Sequence, residues 1–299
     1  STVTAAKTLV LVYTERYGRR RMSLDVCPLT PRGFFAEITG ADLTRANDAA
    51  QFDAIKAAHL RHGVIVIRDQ DLTPAQQIAF SRRFGPLSIH VLEEQLLPDH
   101  PEILLVTNKK EGDRFLGIPD LGRKWHTDQS YQETPALGSL LYALEVPADG
   151  SGDTLFADMA TAFEALPETL RLKIVDLKAE HKYDHKHKNF SLNDQQQDRL
   201  PGVIHPLVRT HPETGRKALY LGAQLVKRIV GMDTAESDEL LDRLHTHCTA
   251  EEFVHRHKWR RHDLVFWDNR STMHCALPYD DQRYTRHMHR TTVVGDRPF

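Results

Sequence analysis

Trp125-His126-Thr127-Asp128 is the stretch on which the reading of this chain turns. Side chains alternate along extended backbone, so a His and an Asp two positions apart point to the same side. An imidazole and a carboxylate on a common face offer two ligands to a divalent metal. A second His from far along the chain would complete three ligands on one side of the ion and leave the other side open, the 2-His-1-carboxylate pattern of non-haem iron sites. An H-x-D by itself is a common accident, and a surface strand or loop is its ordinary explanation, so its surroundings have to carry the argument.

Toward the N-terminus, residues 109–124 are rich in charge and glycine and read as a loop feeding the motif. Before them come a β-like run from Ile103 to Val106 and a helix opened by Thr73-Pro74, with Gln76 placed for a capping box and Gly85-Pro86 as its stop. Further back are a β-branched strand Val64-Ile65-Val66-Ile67, a helix over 48–60 closed by Gly63, and a first strand over 33–38. Toward the C-terminus, Gly138 to Val146 and Asp153 to Phe156 read as strands, 158–177 as helix divided by Pro167, and 180–203 as a long polar surface loop or lid. A hairpin over 205–221 turns at Pro212-Glu213-Thr214-Gly215, and an amphipathic helix spans 233–247. Strands follow at Phe253 to Trp259, Asp263 to Trp267 and Thr285 to Val294. Many short strands, few helices and no βαβ alternation predict a mainly β fold: a β-sandwich or jelly roll with flanking α-helices.

The 299 residues are 27% charged and 40% hydrophobic with a formal net charge of -2, which fits a globular chain. There is no basic excess to draw it to nucleic acid, and no apolar run near the ~20 residues of a membrane span. Cys27, Cys248 and Cys275 are sparse and odd in number, as expected in a reducing compartment, so the cytoplasm is the expected location. In residues 1–22 the apolar run from Lys7 to Tyr13 precedes Arg16, Arg19, Arg20 and Arg21, the reverse of a secretory signal. That segment reads as an N-terminal extension to one domain over 23–299.

The second half supplies partners for the motif. An apolar strand ends in Asp268-Asn269, His274 follows, and the next strand carries Arg286 and Arg290 four residues apart, hence on one face. Two guanidiniums on an inward face require an anion, because unpaired buried charge is expensive. Other histidines read as bland. His181, His185 and His187 lie among Lys182, Lys186 and Lys188 in a solvated loop, His255 and His257 read as surface, and His245 and His247 suit a helix C-terminus.

Taken together, Trp125-His126-Thr127-Asp128, Gly152-Asp153-Thr154, Trp267-Asp268-Asn269-Arg270, His274 and Arg286-His287-Met288-His289-Arg290 resemble, in order, the taurine dioxygenase family of Fe(II)- and 2-oxoglutarate-dependent enzymes. The resemblance runs over roughly residues 25–299. It implies a distorted double-stranded β-helix with His126, Asp128 and His274 as catalytic iron ligands. It further implies Thr154 and Arg286 on the distal carboxylate of 2-oxoglutarate, and Arg290 near both cosubstrate and substrate. His90 matches a residue that contacts the substrate's acidic group, and Tyr131, just past the motif, is a pocket candidate. One departure stands out: Gly122 occupies the place of an asparagine in the taurine enzyme, which points to a larger or longer organic anion.

The implied reaction consumes Fe(II), 2-oxoglutarate and O2, releases succinate and CO2, and hydroxylates a C–H bond of a small organic anion, beside a heteroatom as in an alkyl sulfonate or sulfate ester. Alternatives of the same class are phenoxyalkanoate-type ether cleavage and hydroxylation of an amino or carboxylic acid. A catalytically silent anion-binding protein of this fold, and a cupin-like oxygenase without 2-oxoglutarate, are the readings outside it. A homodimer or homotetramer is expected.

Overall fold

A computed structural model describes residues 9–12, 23–45, 47–119, 121–183 and 200–299. Two sheets build the core. Their strands are β1 (Leu9–Val12), β2 (Ser23–Pro28), β3 (Ala36–Thr39), β4 (Val64–Ile67), β5 (Leu96–Leu97), β6 (His100–Thr107), β7 (Ala136–Glu145), β8 (Thr154–Asp158), β9 (Val254–His257), β10 (Leu264–Asp268), β11 (Thr272–Ala276) and β12 (His287–Val294). The larger sheet has nine strands in the order β1-β2-β3-β4-β10-β7-β12-β6-β5, and the smaller has three, β9-β8-β11. Pairing is antiparallel except between β3 and β4. The outermost strand, β1, comes from the segment expected to be an extension, and it pairs with β2.

The period of two sorts the large sheet into faces. Ile65 and Ile67 of β4, Leu140 and Tyr142 of β7, and Leu264 and Phe266 of β10 pack with Ile55, Ala58 and Phe80 from α1 (Ala49–His62) and α2 (Pro74–Ser81). The intervening residues, Val64, Val66, Leu141, Ala143, Val265 and Trp267, pack the other way, onto Phe156 of β8. Phe156 alternates with Ala157, which joins a third core with Met159, Phe163, Leu170, Leu240 and Leu244 from α3 (Met159–Ala165), α4 (Glu168–Ile174) and α5 (Thr234–Cys248). The layers are therefore helices, large sheet, small sheet, helices. This is the expected jelly roll, and the space between its sheets is where inward polar side chains meet.

Local signals set several boundaries. The Thr73–Gln76 capping box opens α2, a cap worth about 1 kcal/mol. Pro167 separates α3 from α4. Other expectations need correction. Strand β11 was not expected, because Thr272-Met273-His274-Cys275-Ala276 has no β-branched run; pairing along its whole length with β8 makes it a strand. The polar stretch 180–203 is strand at both ends. Lys178–His181 pairs with Val203–Pro206 and Val226–Ile229, and residues 184–199, including His185 and His187, lie outside the described residues. His181 is fully buried against the rings of His205 and Tyr220, not solvated. His257 is likewise buried, with Nε2 3.4 Å from Asp263 Oδ2. The loop at 109–124 holds a short hairpin, Lys110–Glu111 with Arg114–Phe115.

Candidate metal centre and cosubstrate pocket

His126 leaves its loop to form a single antiparallel bridge with His274 on β11. The two backbones exchange hydrogen bonds of 3.1 and 2.8 Å, which sets the rings side by side with centroids 4.2 Å apart. After Thr127 the chain turns, and Gln129 takes a left-handed φ of 55°. Asp128 therefore swings beneath both rings. The ligand atoms of His126, Asp128 and His274 all lie within 4.8 Å of one another, and among the described residues this is the one cluster of three metal-capable groups. Asp128 Oδ1 is 3.8 Å from His126 Nε2 and 3.9 Å from His274 Nε2.

The protonation states suit a metal. The Lys124 carbonyl, 2.7 Å from His126 Nδ1, can only accept, so Nδ1 carries the proton and Nε2 presents a lone pair to the cluster. Burial pushes His126 down, and burial, then competition with the adjoining His126 ring for a proton, pushes His274 down to about 3, so both rings are neutral. Burial alone would raise Asp128; Arg290, then His274, His126 and the Ser139 hydroxyl, overcome it and hold the carboxylate ionised. Metal ligands need those states.

A cavity beside the cluster is lined by His126, His274, Thr154, Arg286 and Arg290, with Gly122 and Trp267 at its edges. Thr154 opens β8, and its Oγ1 accepts from Trp259 Nε1 at 3.0 Å, which leaves the hydroxyl proton free to donate. Arg286 precedes β12 and Arg290 lies on it, on the same inward face as Met288. The Arg286 guanidinium is buried 5.9 Å from the Trp259 ring centroid, and no carboxylate among the described residues pairs with it. Burial lowers it to about 10, and it remains a cation. Arg290 Nη1 donates to Asp128 Oδ1 at 3.1 Å, while its buried Nε has no partner. These unanswered donors beside an anionic metal triad fit a chelating dianion such as 2-oxoglutarate and a metal of the iron type.

His90 is half-buried, its Nδ1 accepts from the Leu92 N–H at 3.2 Å, and burial, then Arg290, lowers it to about 3, but it is not among the residues that line the cavity. Tyr131 is buried with Leu92, Leu104, Ile118 and Leu225 and stands edge-on to Tyr183 at 4.8 Å. Gly122 has φ 77°, and a Cβ there would sit 3.0 Å from His126 Cε1. The contacts of Trp259, Ser139 and Gln129 escaped the sequence reading, and Asn269 entered it only as part of a motif, with no role of its own. Tryptophan, Ser and Asn in strands and turns carry no chemical signal until the fold places them against Thr154 and Asp128.

A jelly roll holding this triad beside a pocket lined by two buried arginines defines a 2-oxoglutarate-dependent dioxygenase, with Fe(II), 2-oxoglutarate and O2 as its cofactor set. Residues 25–292 match the family model described as taurine catabolism dioxygenase TauD, TfdA family. An alpha-ketoglutarate-dependent 2,4-dichlorophenoxyacetate dioxygenase of Cupriavidus pinatubonensis is 35% identical over 92% of this chain and 99% of that protein. An alpha-ketoglutarate-dependent sulfate ester dioxygenase of Pseudomonas putida is also 35% identical, over 93% of this chain and 91% of that protein. The crystal structure of AAD-2 in complex with Mn(II) and N-oxalylglycine superposes with a TM-score of 0.78 at 34% identity, covering 93% of this chain and 99% of that one. The chain belongs to the TauD, TfdA family.

Proposed function

We propose that this dioxygenase hydroxylates a C–H bond next to a heteroatom in a small organic anion, an alkyl sulfonate or sulfate ester in the first instance. The observation that carries the reading is the buried pair Arg286 and Arg290, whose free donors face a cavity shared with the His126–Asp128–His274 triad. His126, Asp128 and His274 would hold the metal; Thr154 and Arg286 would anchor the distal carboxylate of the cosubstrate. Bound iron with 2-oxoglutarate and O2 supplies the oxidation, placing one oxygen atom in succinate, releasing CO2, and placing the other on the substrate carbon. Arg290 and His90 would orient the substrate anion, and the apolar lining of Val106, Leu121, Leu141 and Trp267 would keep bulk water away. If the hydroxylated carbon bears a sulfate or ether oxygen, the product collapses to an aldehyde and frees that group.

The Tyr131–Tyr183 pair gives a second reading: an aryloxyalkanoate, whose ring would find an aromatic surface there. A substrate-dependent succinate assay over sulfonates, sulfate esters, aryloxyalkanoates and amino acids separates them by release of sulfite, sulfate or phenol. No succinate above the uncoupled background with any of these anions would defeat the proposal. We further assign residues 23–299 to one catalytic domain, with 1–22 as an N-terminal extension whose strand β1 adds an edge to the large sheet. The three unpaired cysteines support the cytoplasm, and the family likeness supports a homodimer or homotetramer, which light scattering measures. Among the described residues no helix is long and apolar enough to cross a membrane.

A further inference from the structure

A carboxylate that binds a metal through one oxygen must have its other oxygen satisfied, or it rotates and offers the ion a poorly aimed lone pair. In Asp128 the oxygen facing both His Nε2 atoms is Oδ1. Oδ2 points away and accepts the Ser139 hydroxyl at 2.7 Å. Ser139 sits in the middle of β7, fully buried, on the inward face it shares with Leu141 and Ala143. An apolar residue would serve packing at that position; a hydroxyl there needs a partner, and Asp128 is that partner.

Ser139 is itself held. Its Oγ accepts from Asn269 Nδ2 at 3.3 Å. The Asn269 amide cannot turn over, because its Oδ1 already accepts the Asp128 N–H at 3.0 Å and the Trp267 indole N–H at 3.1 Å. The bonds form a closed ring: Asp128 N–H to Asn269, Asn269 to Ser139, Ser139 to Asp128 Oδ2. Every member is at most 4% exposed. A ring that leaves from the backbone of Asp128 and returns to its carboxylate fixes the side-chain torsions of that residue. Arg290 acts on the opposite oxygen, so the two donors hold the carboxylate from both sides.

We propose that Ser139 is a positioning residue of the metal centre: its hydroxyl, oriented by Asn269, turns Oδ1 of Asp128 toward His126 and His274. The inference rests on Asp128 being a metal ligand. Its test is anaerobic calorimetric titration of the metal-free protein with Fe(II), for the wild type, Ser139→Ala and Ser139→Thr. Loss of such an outer partner weakens metal binding by about 10- to 100-fold, and that rise in dissociation constant is expected for Ser139→Ala. Ser139→Thr, which keeps the hydroxyl, stays within about threefold of wild type. With Fe(II) saturating, 2-oxoglutarate affinity in Ser139→Ala stays near wild type, since its anchors are Thr154 and Arg286. A residue that only supports the fold would lower the urea midpoint of the metal-free protein and leave Fe(II) affinity alone. A Ser139→Ala dissociation constant within twofold of wild type overturns the proposal, as does an equal loss in both variants. A wild type that binds no Fe(II) overturns the triad assignment itself, which separates the two failures.

Discussion

Replacing Arg286 by Gln tests the cosubstrate assignment through two opposite effects. Arg286 is 6% exposed, and no carboxylate among the described residues pairs with it. Burial lowers it from 12.5 to about 10. A depressed folded-state value for a cation means the unfolded chain holds the proton more tightly, so below about pH 10 the whole penalty falls on the folded protein, on the order of 3 kcal/mol. An incoming carboxylate would relieve it. Truncating one side of a buried charged pair costs about 2–5 kcal/mol, so a midrange loss near 3 kcal/mol is roughly a 100-fold rise in the 2-oxoglutarate dissociation constant. Without cosubstrate the same variant gains stability, because the unpaired charge is gone. Anaerobic calorimetry with Fe(II) saturating reads the first effect and urea denaturation the second. 2-Oxovalerate, which lacks the distal carboxylate, serves as control: wild type prefers 2-oxoglutarate strongly and the variant loses that preference. A variant that binds 2-oxoglutarate within threefold of wild type would refute the assignment of Arg286 as the anchor.

Three further outcomes follow from the geometry. Gly122→Ala forces a Cβ to 3.0 Å from His126 Cε1 at φ 77°, a backbone strain of about 1–2 kcal/mol, and should lower both the melting temperature and Fe(II) affinity; unchanged metal affinity would show that the ring does not feel position 122. His59, fully buried and stacked on Phe266 at 3.8 Å, titrates at about 4 instead of 6.5, chiefly through burial. Its lowered value means stability present above pH 6.5 is lost as pH falls toward 4, about 2 kcal/mol of it by pH 5. His59→Phe should reduce the pH 7 to pH 5 stability difference by that amount in urea titrations, and an unaltered difference would exclude His59 as the source. Asp268 holds Arg270 Nη2 at 2.7 Å and His211 Nε2 at 3.0 Å within the core, and Glu213 holds Arg270 Nη1 at 2.9 Å, so Asp268→Ala leaves the buried guanidinium with half its pairing and should cost about 3 kcal/mol by chemical denaturation, against under about 1 if the pair is dispensable.

Much of this site was legible in one dimension. The triad and the two arginines are residue types whose chemistry is costly to bury, and their order along the chain, with Thr154, singles out one arrangement of sheets. The residues that escaped are those whose chemistry is ordinary. Ser139 looks like any small residue in an apolar strand, and Trp259 like any core aromatic. Only contact with Asp128 and Thr154 gives them roles. His181 and His257 misled for the opposite reason: polar neighbours in sequence imply solvent, whereas their rings turn inward against Tyr220 and Asp263. Sequence neighbours do not report which face of a strand is covered.

The sequence alone determined the mainly β class, the capping of α2 and the break at Pro167, because periodicity and caps are local properties, and it offered His126, Asp128 and His274 as candidate ligands through their order along the chain. The tertiary structure decided what those ligands meet. His126 and His274 are 148 positions apart in the chain, yet they exchange backbone hydrogen bonds, since β11 becomes a strand only through its pairing with β8. The aim of the Asp128 carboxylate was likewise settled only by folding, because Ser139, Asn269 and Arg290 reach it from three different strands and turns, and no local pattern encodes their convergence.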